Sequence, residues 1–360
     1  MAVILAARRT AVVPRGGAFA RLSLEDLAVP VLRACLADAG VDAVEEVICA
    51  NAIGPGGNPA RRIALAAGFS QGVAGLTIDR QCAGGLDAIL LARALVDAGQ
   101  ADLVLAGGVE SYSRRPLRLR TDPEGGAPVA YDEAPFTPWP ERNPGMAEAA
   151  AALADAQGLT RAAQEAWAAQ SHADALTVAQ WPEIVPVLGQ GRDPFARRLT
   201  PGLLARARVL HGSITAATAA VSADAAAFCL VASDRYARVG ALRIVSGCTL
   251  GAAPEQPGLA PVPAIARALA LAGVSASDMA MAEIMEAYAA QAMACVSGAG
   301  LNPAVVNRGG GALARGHPIG ASGAVLAVRL FHGLGQGHGL AAIASAGGIA
   351  SALVVQRSGA

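Results

Sequence analysis

The 360-residue sequence is poor in aromatic side chains and in charge: 4% of its residues are aromatic and 16% are charged, whereas 54% are hydrophobic. This hydrophobic fraction excludes a disordered chain. Lysine plus arginine and aspartate plus glutamate each number 28, so the net charge is zero. Because no overall positive field exists, we expect no binding to nucleic acid or to an anionic membrane, and an anionic ligand needs a local patch of charge.

Paired cysteines are also missing. The six cysteines lie far apart, no Cys-x-x-Cys pair occurs, and none clusters with the five histidines. This spacing argues against a disulfide scaffold and against a zinc site, so we expect no bound metal. A reducing, cytoplasmic setting fits this cysteine usage.

Signals for secretion or membrane insertion are absent from the pattern as well. The apolar run after Met1 is short and is followed by Arg8 and Arg9, which is the wrong charge order for a secretory signal. The longest uncharged candidate for a membrane span, 339–356, is interrupted by Gly347 and Gly348. It predicts two buried strands rather than a transmembrane helix.

A chain of this length favours two units of similar size, since single cores stop growing near roughly 250 to 300 residues. In the first unit an apolar, strand-like run ends at Cys82, where a Gly-Gly pair opens a helix. A thiolate at a helix N-terminus is stabilised, so we expect a lowered pKa for Cys82 and a nucleophilic role. The alternative is a small buried hydrophobe at the end of a strand.

The order of elements is repeated in the second half. A strand, the Cys82 turn, a helix and a buried strand closed by Gly107 and Gly108 are followed much later by a similar series. That series is a predicted strand at 304–307, a glycine-rich turn around His317, a helix after Gly323 and a strand at 340–346. If the two turns face one site, His317 could take the Cys82 proton or donate to a developing oxyanion.

The same motifs resemble those of a known family. The segment 316–324, Gly-His-Pro-Ile-Gly-Ala-Ser-Gly-Ala, closely resembles the histidine signature of thiolases, and 78–86, 101–111 and 57–61 are similar to other thiolase segments. The resemblance implies a five-layered αβαβα fold of the α/β class, made of two duplicated halves and an inserted loop domain. The implied divisions are 1–111 with 210–234, 112–209, and 235–360. It also implies a homodimer or tetramer.

The resemblance further implies an activity in lipid metabolism. Cys82 would accept an acyl group from acyl-CoA, with activation by His317 and with an oxyanion site formed by the backbone amides of Cys82 and of the turn near Ala346. Thiolysis of a 3-ketoacyl-CoA or a Claisen condensation would follow. Coenzyme A would be a substrate, and no cofactor would be bound permanently. Met146, Ala287 and Tyr288 are expected in the pocket for coenzyme A and the acyl group.

Two motifs depart from the family pattern. Ala344 stands where thiolases carry a second, acid/base cysteine, and Met285 replaces the asparagine of a motif that continues with Glu286. Ser345 is a poor substitute base, and Glu286 is either a substitute or a buried, hydrogen-bonded carboxylate. The alternatives are therefore an enzyme that passes the acyl group to another acceptor or to water, and a weakly catalytic acyl-CoA-binding subunit. The arginines of 114–120 either hold coenzyme A phosphates or are solvated.

Overall fold

The computed structural model describes residues 1–358, an α/β protein with one ten-stranded mixed sheet and two small hairpins. The strands of the large sheet are β1 (Ala2–Arg9), β2 (Val13–Pro14), β3 (Glu46–Ala50), β4 (Ala74–Ile78), β5 (Leu103–Ser111), β10 (Ala223–Ser233), β11 (Leu242–Gly251), β12 (Met279–Ile284), β13 (Gly337–Ser345) and β14 (Ile349–Arg357). The hairpins consist of β6 (Arg118–Arg120) with β7 (Val129–Tyr131), and β8 (Val209–His211) with β9 (Ile214–Thr215).

Ten α-helices lie within the described residues. They are α1 (Leu24–Ala39), α2 (Pro59–Ala66), α3 (Gly84–Asp97), α4 (Met146–Ala156), α5 (Arg161–Thr177), α6 (Pro201–Ala205), α7 (Pro261–Ala272), α8 (Ala289–Gly298), α9 (Ala312–Arg315) and α10 (Ser322–Gly333). Helix α1 begins at a capping box between Ser23 and Asp26, whose side chains satisfy backbone amides that the first turn leaves free. None of the helices in 1–358 is long and apolar enough to cross a bilayer.

The large sheet consists of two halves with the same pairing pattern. The first runs β4-β3-β5-β10-β1 and the second runs β12-β13-β14-β11. In each half a parallel pair (β3–β5, β12–β13) is followed by two antiparallel pairs, and the first half has one further parallel strand, β4, beside β3. The halves meet where β1 pairs with β11 through two residue pairs, Val3–Arg243 and Ile4–Leu242. This correspondence supports the duplication inferred from the sequence.

Three hydrophobic clusters pack the helices and the two half-sheets into five layers. The central cluster joins α3 and α10 to one face of each half-sheet, through residues such as Leu86 and Val325. A second cluster packs α1 and α2 on the outer face of the first half-sheet. A third packs α7 and α8 on the outer face of the second. The expected αβαβα layering is thus confirmed.

Two predicted elements differ from the structure. The strand expected at 304–307 is wrong: Pro303–Val305 form a 3₁₀ turn, and only Val306 bridges to Ala282 of β12. The Asn307 side chain instead bonds both backbone groups of Ile284, at 2.9 Å each, so an amide side chain substitutes for strand pairing. Gly107 and Gly108 also do not close β5, which continues to Ser111.

The segment between β5 and β10 carries both hairpins and α4 to α6. A buried ion cluster fastens it to the two halves: Arg9 of β1 contacts Asp193 at 2.8 Å, and Glu183 accepts from Arg329 of α10 at 2.9 Å. Burial alone would raise the pKa of Glu183, but the guanidinium groups of Arg9 and Arg329 outweigh it and lower the pKa to about 2. The division of the chain into three domains stays a prediction.

Candidate active site

The first turns of α3 and α10 pack directly against each other, and this contact sets the distance between the two functional turns. A Cβ on Gly85 would lie 2.7 Å from the backbone nitrogen of Ala324, and one on Gly323 would lie 2.4 Å from that of Leu86. Both are closer than real Cβ contacts, so side chains here would force the helices apart. The two glycines therefore allow Cys82 and His317 to meet.

Cys82 and His317 form a hydrogen-bonded pair. The Sγ atom of Cys82 lies 3.1 Å from Nε2 of His317, and Nδ1 of the same ring lies 2.6 Å from Oγ of Ser322. The Ser322 hydroxyl donates its proton to the carbonyl of Pro318 at 3.0 Å. A hydroxyl has one proton, so the ring must donate from Nδ1 to Ser322. That tautomer leaves Nε2 free to accept the thiol proton of Cys82.

Both members of the pair are neutral at neutral pH. Burial raises the pKa of the Cys82 thiol to about 12, although the backbone amides of Cys82 and Ala346 act in the lowering direction. Burial also lowers the pKa of His317 to about 4. The expectation of a lowered pKa for Cys82 is therefore wrong, because desolvation at this depth exceeds the effect of the amides. A thiol and a neutral imidazole face each other.

The pair lies in a cleft of about 250 Å³, between the insertion and the ends of the two half-sheets. Ala344, Ser345 and Ala346, at the end of β13, line this cleft together with Met146, Ala287 and Tyr288. The backbone amides of Cys82 and Ala346 both act on the Cys82 sulfur in the direction that lowers its pKa. Two N–H groups aimed at one point can stabilise a developing negative charge there.

The positions that depart from the family motifs carry no proton-transfer group into the cleft. Ala344 presents a methyl group, and Met285 is buried in the central cluster. The Ser345 hydroxyl donates to the carbonyl of Arg80 at 3.0 Å. Its single proton is thereby occupied.

Glu286 lies outside the cleft lining. Its carboxylate is buried and accepts four hydrogen bonds, from Trp167 at 3.0 Å, Ser171 at 2.8 Å, Asn307 at 3.0 Å and the amide of Leu313 at 3.2 Å. Of the two interpretations of Glu286, the geometry favours the buried, hydrogen-bonded carboxylate that stabilises the base of the His317 turn.

The four arginines of 114–120 are not gathered at one point. Arg118 lines the cleft and donates to the carbonyl of Ala52 at 3.1 Å. Arg115 contacts Asp132 at 3.2 Å, Arg114 donates to the carbonyl of Arg21, and Arg120 lies over the Tyr131 ring. Only Arg118 of this group is positioned to meet a ligand in the cleft.

Sequence reasoning missed Ser322 and Glu110. Ser322 lies within the histidine motif, five residues after His317. A hydroxyl side chain at the start of a predicted helix could have indicated a hydrogen-bond partner for His317. Glu110 is a fully buried acid near the end of the apolar strand β5. An acid at the end of an otherwise apolar strand run is unusual enough to have been singled out.

Known proteins share this architecture over the whole chain. Residues 2–235 match the model of the thiolase N-terminal domain, and residues 240–357 match that of the thiolase C-terminal domain. A Bacillus subtilis (strain 168) protein named "Putative acetyl-CoA C-acetyltransferase YhfS" is 36% identical over 373 residues, covering 99% of each chain. A Staphylococcus aureus (strain MRSA252) protein named "Putative acetyl-CoA C-acetyltransferase VraB" is 32% identical over 380 residues, again covering 99% of each chain.

Solved structures agree. The crystal structure of the Bacillus anthracis acetyl-CoA acetyltransferase superposes with a TM-score of 0.91 at 32% identity, covering 99% of this chain and 98% of that one. The Ascaris suum Acat5 thiolase in complex with coenzyme A also gives 0.91, at 29% identity and 99% coverage of both chains. The layered, duplicated fold is that of thiolase-like proteins. The chain belongs to the thiolase family.

Proposed function

We propose that this protein is an acyltransferase that takes an acyl group from acyl-CoA onto Cys82. The observation that carries the proposal is the 3.1 Å contact between Cys82 Sγ and a His317 Nε2 that is free to accept a proton. The acetyltransferase names of the relatives and the coenzyme A complex of the Ascaris suum thiolase support the substrate class.

In the proposed first half-reaction, the thiol proton of Cys82 moves to Nε2 of His317 while the sulfur attacks the thioester carbonyl carbon. The amides of Cys82 and Ala346 supply donors for the oxyanion. As the oxyanion collapses, the bond to the coenzyme A sulfur breaks, and that sulfur takes the proton from His317. Since thiol and imidazole are neutral beforehand, proton transfer accompanies the attack rather than preceding it.

For the second half-reaction we propose transfer to coenzyme A, as in thiolysis of a 3-ketoacyl-CoA, or to the carbanion of a second acyl-CoA. A second candidate is transfer to a different acceptor or to water. Ala344, the buried Met285 and the occupied Ser345 hydroxyl favour this candidate, since none of them can remove a proton from carbon. Thiolysis and condensation would then be slow, by roughly 10²- to 10⁴-fold for one missing acid/base group.

For the ligand-binding surface we propose that Met146, Ala287 and Tyr288 contact coenzyme A or the acyl group, and that Arg118 meets a phosphate. Their shared position around the cleft supports this assignment. Burial raises the pKa of Tyr288 to about 12, so its phenol stays protonated and can donate a hydrogen bond.

We also propose a homodimer formed along β4, in a cytoplasmic enzyme of lipid metabolism. Strand β4 ends the order of the large sheet, and Leu76 on it is exposed, as are Leu65 of α2 and Leu91 of α3. An exposed edge strand flanked by apolar side chains suits pairing with a second copy. Light scattering would give the dimer mass, and Leu76→Lys should shift it toward the monomer.

Intact-mass spectrometry tests the acyl-enzyme step. Incubation with acetyl-CoA should add one acetyl group to the wild-type chain and none to Cys82→Ser. The sequence contains no lysine, so lysine acetylation cannot mimic the adduct. Adding coenzyme A, a second acyl-CoA or buffer alone then identifies the acceptor. An unmodified wild-type chain would contradict both candidate functions and leave only a binding role.

A further inference from the structure

Glu110 is a fully buried carboxylate that sits between the two halves of the site. Its Oε1 accepts from the Asn51 side chain at 2.8 Å and from the Ile53 amide at 3.4 Å. Its Oε2 accepts from the Ala52 amide at 3.1 Å and from the Gly320 amide at 2.9 Å. Both oxygens therefore accept two donors each, which is the full capacity of an ionised carboxylate.

The four donors come from different parts of the molecule. Residues 51–53 follow β3 in the first half, and Ile53 lines the cleft. Gly320 belongs to the second half and lies three residues after His317, in the 3₁₀ turn Ile319–Ala321. Glu110 itself does not line the cleft. One side chain thus ties the His317 turn to the first half without access to a substrate.

No positive charge compensates this carboxylate. Within residues 1–358 Glu110 has no salt-bridge partner, and burial raises its pKa to about 7, although the amides of Gly320, Ala52 and Ile53 act in the lowering direction. The carboxylate of Asp79 raises the pKa of Glu110 further. The charge of Glu110 in turn raises the pKa values of the Cys49 and Cys82 thiols. The carboxylate is held by hydrogen bonds alone.

We propose that Glu110 is a positioning residue whose carboxylate holds the His317 turn against the Cys82 turn, and that protonation of Glu110 loosens the Cys82–His317 contact. A protonated carboxyl group converts one acceptor site into a donor that faces an N–H group. The hydrogen bond from the Gly320 amide to Glu110 is then weakened. The His317 turn is held less firmly, and the contact between Cys82 and His317 loosens with it. The inference rests on the proposed pairing of Cys82 with His317, but thiol reactivity can be measured without any acyl transfer.

The experiment is the rate of alkylation of Cys82 by iodoacetamide, followed by peptide mass analysis between about pH 5 and pH 9. The pair itself titrates near 4 and 12, so neither member produces a step near neutral pH. In the wild type we expect the alkylation rate to increase in a step near pH 7, in addition to the smooth increase with pH that thiolate formation gives. Glu110→Gln should remove the step and slow alkylation about 10-fold at pH 8, since an amide offers fewer acceptor sites.

Three further variants make the result decisive. In the His317→Ala background, Glu110→Gln should have no additional effect, because Glu110 acts through the His317 turn. Asn51→Ala removes one donor but keeps the carboxylate, so it should move the step to higher pH. The control is Glu46→Gln, which removes a half-buried carboxylate at the first residue of β3, opposite Val104 and so at the other end of β5 from Glu110. Burial also raises the pKa of Glu46, and the profile of this variant should match the wild type.

Several outcomes would overturn the proposal: a step that persists in Glu110→Gln, independent effects of Glu110 and His317, or an unshifted step in Asn51→Ala. The last measurement remains available if Glu110→Gln does not fold, which circular dichroism would reveal. A chain that shows the step but forms no acyl adduct with acetyl-CoA would contradict the proposed function and not this inference.

Discussion

Strands β5 and β13 occupy equivalent places in the two half-sheets, yet their ends are chemically different. Near the end of β5, Glu110 accepts four hydrogen bonds. β13 ends with Ala344 and with Ser345, whose hydroxyl is bonded to the carbonyl of Arg80. The duplication therefore places the ends of two equivalent strands at the same site. The polar groups, however, are concentrated at the end of β5 and in the His317 turn, and not at the end of β13.

The residues that precede the two functional side chains differ as well. Gln81, before Cys82, has a φ of 48°, and Gly316, before His317, has a φ of 112°. Both lie in the left-handed region, where only glycine is free of strain. Gln81 is held there by Asp79, which accepts from its amide at 2.8 Å and from its side chain at 2.9 Å. Both residues thus have a positive φ, which Gln81 adopts with the help of the Asp79 contact and Gly316 because it has no side chain.

The largest effect should come from the His317 turn. His317→Ala removes the proton acceptor of Cys82, so acylation by acetyl-CoA should slow by roughly 10²- to 10⁴-fold. His332→Ala, at the far end of the same helix α10 and hydrogen-bonded to the carbonyl of Ala7, is the matched control and should acylate normally. Rapid-quench mass spectrometry measures both rates. Equal rates would mean that the second half contributes no base.

The joint between the halves can be weakened at Glu183. Its folded pKa of about 2 lies below the ordinary 4.5, so the ionised form stabilises the fold above pH 4.5, and this stability is lost as pH falls from 4.5 toward 2. The difference corresponds to about 3 kcal/mol. Glu183→Gln should therefore reduce the free energy of unfolding by about this amount at pH 7, and the deficit should shrink below pH 4.5. Urea titrations measure it; a pH-independent deficit would contradict the assignment.

The asymmetry at the strand ends can be reduced by adding a thiol. Ala344→Cys, combined with Met285→Asn, should raise thiolysis or condensation by about 10-fold or more, because it returns a proton-transfer group to the cleft. Ala344→Ser has a similar size but lacks an acidic thiol, and should give no gain. Coenzyme A-dependent cleavage of acetoacetyl-CoA is the assay. If the cysteine variant gains nothing, the deficit lies elsewhere.

The smallest effect concerns the strained residue before Cys82. Gln81→Gly should be more stable than Gln81→Ala by about 1 kcal/mol, since only alanine retains the cost of the left-handed conformation after the Asp79 contact is lost. Chemical denaturation of the two variants measures the difference. Equal stabilities would show that the turn relaxes when the Gln81 side chain is removed.

Much of the framework could be predicted from the sequence. The repeated order of strands and turns and the motif around His317 led to the layered fold and to the neighbourhood of Cys82 and His317. The partners of Glu110 could not be predicted in this way, because residues 51–53 and Gly320 are far from it along the chain and meet it only after folding. The pKa of Cys82 depends on how deeply the thiol is buried, and the hydrogen bond of the Ser345 hydroxyl depends on the side-chain rotamer. Neither property can be read from a pattern of residue types.

The missing strand in the second half illustrates a different limit. The run Ala304–Asn307 has strand-like composition, but Pro303 starts a 3₁₀ turn, and the Asn307 side chain takes the backbone groups that a strand would have paired. Side-chain mimicry of this kind leaves no periodic signal. The glycines at 107 and 108 misled in the opposite direction, since a Cβ on Gly108 would lie 2.2 Å from the carbonyl of Gly320; they allow close approach within a continuing strand.

The unequal edges of the large sheet have a consequence for how copies can associate. On the β12 side, Val306 and Asn307 occupy the outer backbone groups of Ala282 and Ile284, whereas β4 ends the sheet with its outer side unpaired in residues 1–358. A molecule with a single unpaired edge strand has no second edge left for pairing once that strand pairs with another copy. In the proposed homodimer this edge would be used in both copies, so growth would stop at a closed pair and would not continue into a fibre.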